Sequence, residues 1–228
     1  MVHGQSLRIP GAAAAAALLL LLLVPALAGA APGPGAHAAR RSRAARRLNL
    51  HRVDWSDVTL PGAACDGSVP IRLHDGAGLL TPVPRRWAGV HFFGRRAVSV
   101  GASSAPMAFG DLEGPGREAA ALGVNCNDGG GTADSALLFS VVIFGARGGD
   151  LLPLGVLTPR EQPPEVLPTL LSVTISRGRV SAFENFYGPA DATCCSSGTA
   201  RTIWTYSHGS LSAGTTVILK RPRAAPAA

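Results

Sequence analysis

Past Leu48, glycine or proline breaks almost every segment of the chain before an apolar period of 3.6 residues can establish itself. A proline inside a helix removes a hydrogen bond and clashes with the preceding turn, and a mid-helix glycine costs about 1 kcal/mol relative to alanine. With 28 Gly and 18 Pro among 228 residues, helix is the element this chain can least sustain. Between the breaks stand apolar runs rich in Val, Ile, Leu and Phe: SVPIRL (68–73), VHFFGRRAVSV (90–100), PMAFGDL (106–112), REAAALGVNC (117–126), SALLFSVVIFG (135–145) and LLPLGVL (151–157). Runs of this kind, bounded by turn residues, read as strands. Two hairpins follow, one turning at Arg177-Gly178 and one at His208-Gly209. The expected fold class is mainly β: a single antiparallel meander, a curled sheet of about 7–10 strands clipped by disulfides, with few or no helices. Trp204, on an alternating strand of the last hairpin, is expected in the core.

The ends of the chain differ from its middle. Residues 1–30 carry Arg8, the apolar run AAAAAALLLLLLVPALAGA and a closing Ala28-Gly29-Ala30. That is the pattern of an export signal, with cleavage expected before Ala31. The run also approaches the roughly 20 apolar residues of a membrane span, so an uncleaved anchor is the alternative. Residues 31–52 read as a linker holding six arginines and no acid (Arg40, Arg41, Arg43, Arg46, Arg47 and Arg52), and residues 220–228 form a tail with Lys220, Arg221 and Arg223. Between Val53 and Leu219, the expected domain, 11 basic residues face 14 acidic ones. The net charge of +7 therefore belongs to the ends. A domain that reads nucleic acid carries its basic face on the fold, so no specific nucleic-acid partner is expected. The basic ends suit an anionic cell-wall polymer or membrane surface, and no feature names a protein partner.

Four cysteines, Cys65, Cys126, Cys194 and Cys195, in an exported chain imply disulfides. The C-x₂₋₄-C spacing of a zinc site is absent. Three pairings are open. Joining Cys194 to Cys195 closes a strained ring, so the expected bridges run from Cys126 to one of Cys194/Cys195 and from Cys65 to the other. The Cys126 bridge is then expected to matter more for stability than the Cys65 bridge.

That pairing would fasten the loop NCNDGGGTAD (125–134) to FYGPADATCC (186–195). Asn125, Asn127, Asp128 and Thr132 would meet Tyr187 and Asp191, which together offer amides, carboxylates and a flat apolar ring. This is the equipment of a small polar-ligand or glycan site, and equally of a well-packed turn. A second reading makes Asp128 and Asp191 the carboxylate pair of an extracytoplasmic hydrolase. No G-x-S-x-G, H-E-x-x-H or S-x-x-K motif is present, and His74, His91 and His208 stand without local partners. A non-catalytic module without cofactor is the expectation. FGDLEGPGREAAAL (109–122) has the outline of a calcium loop through Asp111, Glu113 and Glu118, but Pro115 takes the fifth position. A turn without metal is expected there.

NCNDGGGTAD, SALLFSVVIFG, LGVLTPREQP, FYGPADATCCSSG and ARTIWTY together resemble the LppP/LprE family of actinobacterial envelope proteins over about Val53 to Leu219. The resemblance implies a secreted or lipid-anchored envelope protein and no established reaction. This chain departs from the lipoprotein members by lacking a lipobox cysteine, and it has Ser196 where a proline commonly follows the cysteine pair.

Overall fold

The Gly-containing pairs that interrupt the sequence are the hairpin turns of the fold. In the computed structural model, which describes residues 48–81, 98–127, 137–161, 169–192 and 195–224, twelve strands pair antiparallel. They are β1 (Thr59–Leu60), β2 (Ile71–Arg72), β3 (Ala77–Leu80), β4 (Val98–Ala102), β5 (Ala108–Asp111) and β6 (Glu118–Asn127). The second half of the chain gives β7 (Leu137–Arg147), β8 (Asp150–Leu157), β9 (Thr169–Ser176), β10 (Arg179–Phe186), β11 (Gly198–Ser207) and β12 (Ser210–Lys220). Gly148-Gly149 joins β7 to β8, Arg177-Gly178 joins β9 to β10, and His208-Gly209 joins β11 to β12. Both residues of each pair have positive φ. That is the type I′ arrangement, whose twist matches the twist of the strands it connects.

The fold is mainly β, as the sequence predicts, and the described helical residues are three 3-10 turns at Leu50–Arg52, Trp55–Asp57 and Gly62–Cys65. The strands are shared among a β1-β2 pair, a four-stranded sheet in the order β12-β11-β10-β9, and a six-stranded sheet in the order β3-β4-β6-β7-β8 with β5 also paired to β6. The unbroken apolar runs of β6 and β7 explain the layering. Ala119, Ala121, Val141 and Ile143 pack with Val173, Ile175, Val180, Ala182 and Trp204 of the four-stranded sheet. Their neighbours Ala120, Leu122, Val124, Val142 and Phe144 turn the other way and pack with Leu50, Trp55, Leu60, Ile71 and Leu73. A strand buried on both faces has no polar alternation to show. The six-stranded sheet is thus a middle layer. β5 approaches β9 so closely that a Cβ on Gly110 would collide with the Ile175 carbonyl oxygen. Truncating a fully buried side chain of either core, such as Leu122 or Leu157, costs about 2–5 kcal/mol.

The disulfide overturns the expected pairing. Cys65, at the end of its 3-10 turn, bonds to Cys126 of β6, with Cα atoms 5.8 Å apart and both residues fully buried. Cys195 is also disulfide-bonded, so its partner is neither of these, and Cys194 lies outside the described residues. Parity along β6 is the reason. Cys126 shares a face with Leu122 and Val124, toward the N-terminal segment, whereas the chain leading to Cys195 continues from β10 in the sheet on the opposite side. Side chains alternate along a strand, so a bridge from Cys126 to the cysteine pair would require β6 to be turned over. The Ser140 hydroxyl donates to the Ala64 carbonyl (2.9 Å) and fixes the same turn from the neighbouring strand.

The fold also extends past its expected limits. Leu50, assigned above to the linker, is buried in the N-terminal core, and the Asn49 side chain accepts the His51 N–H (3.0 Å) to start the first turn. An apolar Leu-Asn-Leu beside an arginine run has too little length to announce itself as structure. At the other end β12 includes Lys220, and the Arg223 N–H donates to Ser197 Oγ (2.8 Å). The export signal and the linker up to Arg47 lie outside the described residues. On β10, the buried Glu184 carboxylate accepts the N–H groups of Arg160 (2.7 Å) and Glu161 (3.0 Å), tying down the chain that leaves β8.

Candidate binding cleft

The structure describes four of the six polar residues singled out in the sequence. Asp128 and Thr132 lie outside the described residues. Asn125 is exposed on β6, opposite Gly101 of β4, while Asn127 at the strand end and Tyr187 after β10 are half-buried and engaged with neighbours. The described hydrogen bonds of Asp191 stay within its own loop. It accepts from the Gly188 N–H (2.7 Å), the Ser197 N–H (2.9 Å) and the Ser197 hydroxyl (2.6 Å). The Gly188 N–H, then the Ser197 hydroxyl, hold its carboxyl below the usual carboxylate range. An acid engaged in this way organises a turn. With Cys126 committed to Cys65, the bridge that was to gather these residues runs elsewhere.

The three carboxylates of the calcium-like segment also go separate ways. Asp111 accepts the Gly116 N–H (3.0 Å) and closes the β5–β6 turn, aided by the bond from the Arg117 N–H to the Gly114 carbonyl (3.0 Å). Glu118 pairs with His51 (3.1 Å), whose ring stacks on Phe109 with centroids 4.0 Å apart. Glu113 turns to Arg147 and Tyr206. Among the described residues no group of three or more His, Cys, Asp or Glu side chains could hold a metal ion.

Glu113 marks the site that the strands do build. Three turns and the end of β7 converge at one end of the sandwich around an open cleft of ≈ 700 Å³. The β5–β6 turn contributes Glu113, Pro115 and Arg117, β7 contributes Arg147, and the two X-Gly turns contribute Arg177 and His208, with Tyr206 at the base of the last hairpin. Arg147 Nη2 donates to Glu113 Oε1 (2.5 Å), and the Tyr206 hydroxyl donates to the same oxygen (3.1 Å). The Glu113 side chain is only 8% exposed, against 57% for Arg147.

Burial works against the charge on Glu113. The hydrogen bonds from Arg147 and Tyr206, with the charges of Arg147 and Arg117, outweigh it and leave the carboxyl below its ordinary value. The phenol moves the opposite way. Burial, then donation to Glu113, raises the Tyr206 hydroxyl, so it remains a donor at neutral pH. Arg147 is held still by its partners on one side and keeps the rest of its guanidinium at the surface. The cleft has three arginines against two acids, in a segment from Val53 to Leu219 where acids outnumber bases.

Sequence reasoning missed this cleft because its residues come from four separate hairpins. A signal was present: R-G-G at 147–149, R-G at 177–178, H-G at 208–209 and G-P-G-R at 114–117 each place a basic residue in or beside a glycine turn. Alternate hairpin turns of a meander fall at the same end, so four such turns predict one basic rim. Comparison with protein-family models, with curated proteins and with solved structures gave no match for this chain.

Proposed function

We infer that the chain is an exported, cell-envelope-associated protein whose β domain is a non-catalytic binding module, with the hairpin-end cleft as its binding site. The observation that carries this reading is the cleft itself, a concave surface with convergent polar groups on four short-looped hairpins. Asp191, the described member of the carboxylate pair in the hydrolase reading, and Glu113 of the cleft are both engaged in structural hydrogen bonds. An oxidised Cys65–Cys126 pair fits the compartment that the export signal implies. The resemblance to LppP/LprE envelope proteins supports the same location. The arginines between Arg40 and Arg52 would tether the protein to anionic wall polymer or lipid headgroups. Salt-sensitive adhesion to such surfaces should then vanish when residues 31–47 are deleted, and adhesion that persists unchanged would refute the tether.

A screen of the purified chain against wall glycans, lipids and short peptides, read as a rise in melting temperature, tests the module reading. Hits should disappear in Ser207→Trp, which places a large ring among the cleft residues on an exposed strand end. Hits that survive this substitution would put the binding surface elsewhere, and an empty screen would count against a binding module.

A further inference from the structure

We propose that the hairpin-end cleft is an oxyanion site, which takes a phosphate or carboxylate group carried on a small polar ligand, with Arg117 and Arg177 as its charge contacts and Arg147 as a pre-positioned donor. The proposal rests on the binding-module reading and gives it a ligand chemistry.

Two independent observations lead to it. The first is the composition and order of the cleft. Arg117, Arg147 and Arg177 come from three different hairpins and line one concavity. A guanidinium presents its N–H groups as a planar fork that matches a carboxylate or phosphate edge. Arg147 is aimed by its bond to Glu113, and Glu113 is steadied in turn by the Tyr206 hydroxyl. An anionic ligand would therefore meet a donor that has already lost its freedom.

The second is backbone conformation. Four described residues other than glycine have positive φ: Asp66, Asp75, Arg177 and His208. Left-handed backbone is disfavoured for most side chains and tolerated by Asn and Asp, which hydrogen-bond locally. The two such residues away from the cleft are the tolerant type. The two at its rim are Arg177 and His208, in turns where Asn-Gly would be the better hairpin former. Histidine, like Asn and Asp, is enriched in left-handed backbone, so the turn itself accounts for His208 but gives no reason for Arg177. A requirement for cationic or donor groups at the cleft does.

The test is a calorimetric titration of the full chain with inorganic phosphate, with glucuronate and with uncharged N-acetylglucosamine. The comparison proteins are the double variant Arg117→Gln, Arg177→Asn and a chain lacking residues 31–47. Asparagine suits the positive φ of the second position better than arginine does, so Arg177→Asn removes a guanidinium without harming the turn. The wild type should bind at least one of the two anions saturably, with affinity that weakens as salt is added. The double variant should lose about tenfold or more in affinity, the span expected when hydrogen bonds to charged groups are removed. Deleting the linker should change nothing. A response to phosphate alone identifies a phosphate group, and one to glucuronate alone identifies a carboxylate. Binding that the double variant retains in full, or silence from both anions at millimolar concentration, overturns the proposal. If N-acetylglucosamine binds and Ser207→Trp abolishes it while the double variant does not, the oxyanion inference fails and the module reading stands.

Discussion

Replacing Cys65 and Cys126 together by alanine removes the bond between the N-terminal segment and the middle sheet, and leaves no buried thiol behind. The bridge closes a loop with a sequence separation of 61. A loop of that length, freed in the unfolded chain, lowers stability by about 4 kcal/mol through chain entropy. Domains of this size have about 5–15 kcal/mol in total, so the loss is a large share. With a urea slope of about 2 kcal/mol/M, the midpoint of unfolding should fall by about 2 M. The slope should hold if unfolding stays all-or-none. Because the two cysteines are partners in one bond, either single Cys→Ala substitution should cost a similar amount, in contrast to the unequal effects expected from the sequence. Hydrogen exchange should accelerate first around Trp55 and Leu60, whose packing partners on the sheet are reached through this clamp. A midpoint shift under about 0.5 M, in protein whose remaining disulfide is confirmed by peptide mapping, would refute the reasoning. Mapping that linked Cys126 to Cys195 would refute the structure on which it rests.

Glu113→Gln should cost about 1–3 kcal/mol at neutral pH, because the Arg147 and Tyr206 donors keep a weaker acceptor. Its folded-state carboxyl lies below the unfolded value, so its contribution is complete above the unfolded pKa and is lost as pH falls through the folded one. The gap between wild type and variant, read from urea unfolding, should therefore narrow in acid, and a gap that widens there contradicts the assignment. Glu184 has the opposite sign. Burial raises its carboxyl despite the N–H groups of Arg160 and Glu161, so its contribution is present at low pH and is lost as pH rises through the folded value. The stability of wild type relative to Glu184→Gln should accordingly decline from acid to neutral pH, and a rise would show that the two N–H groups dominate. Arg177→Asn should raise stability by about 0.5–1 kcal/mol by relieving left-handed backbone, and a loss of that size in thermal unfolding would mean that the arginine side chain supports the turn.

The turns and strands were legible in the sequence because their causes are local. Arg177-Gly178 and His208-Gly209 are hairpin turns because glycine accepts positive φ, and that requirement can be read from two residues. Trp204 in the core follows from alternation along one strand. The layering was not legible in the same way. An all-apolar stretch such as Ala119–Leu122 is compatible with one deeply buried sheet or with a sheet between two layers, and the choice depends on where Leu50 to Leu73 pack. The disulfide failed for the same reason, since counting cysteines says nothing about which face of β6 Cys126 occupies. The cleft is the furthest from sequence. Glu113, Arg147 and Tyr206 are 34 to 93 positions apart, and only the common end of several hairpins brings them together.

The shortness of these turns determines how the cleft behaves as well as how it is built. Two-residue loops in positive-φ geometry have no slack, and the longer β5–β6 turn is cross-tied by Asp111 to Gly116. Among the described residues, the rim has no long loop to swing over a bound molecule. On the binding-module reading proposed above, recognition would be lock-and-key: the ligand would give up its motion and the protein almost none. Its kinetics should follow accordingly, with an association rate linear in ligand concentration to the highest values that can be mixed. Selectivity would then reside in how long a correctly shaped anion stays.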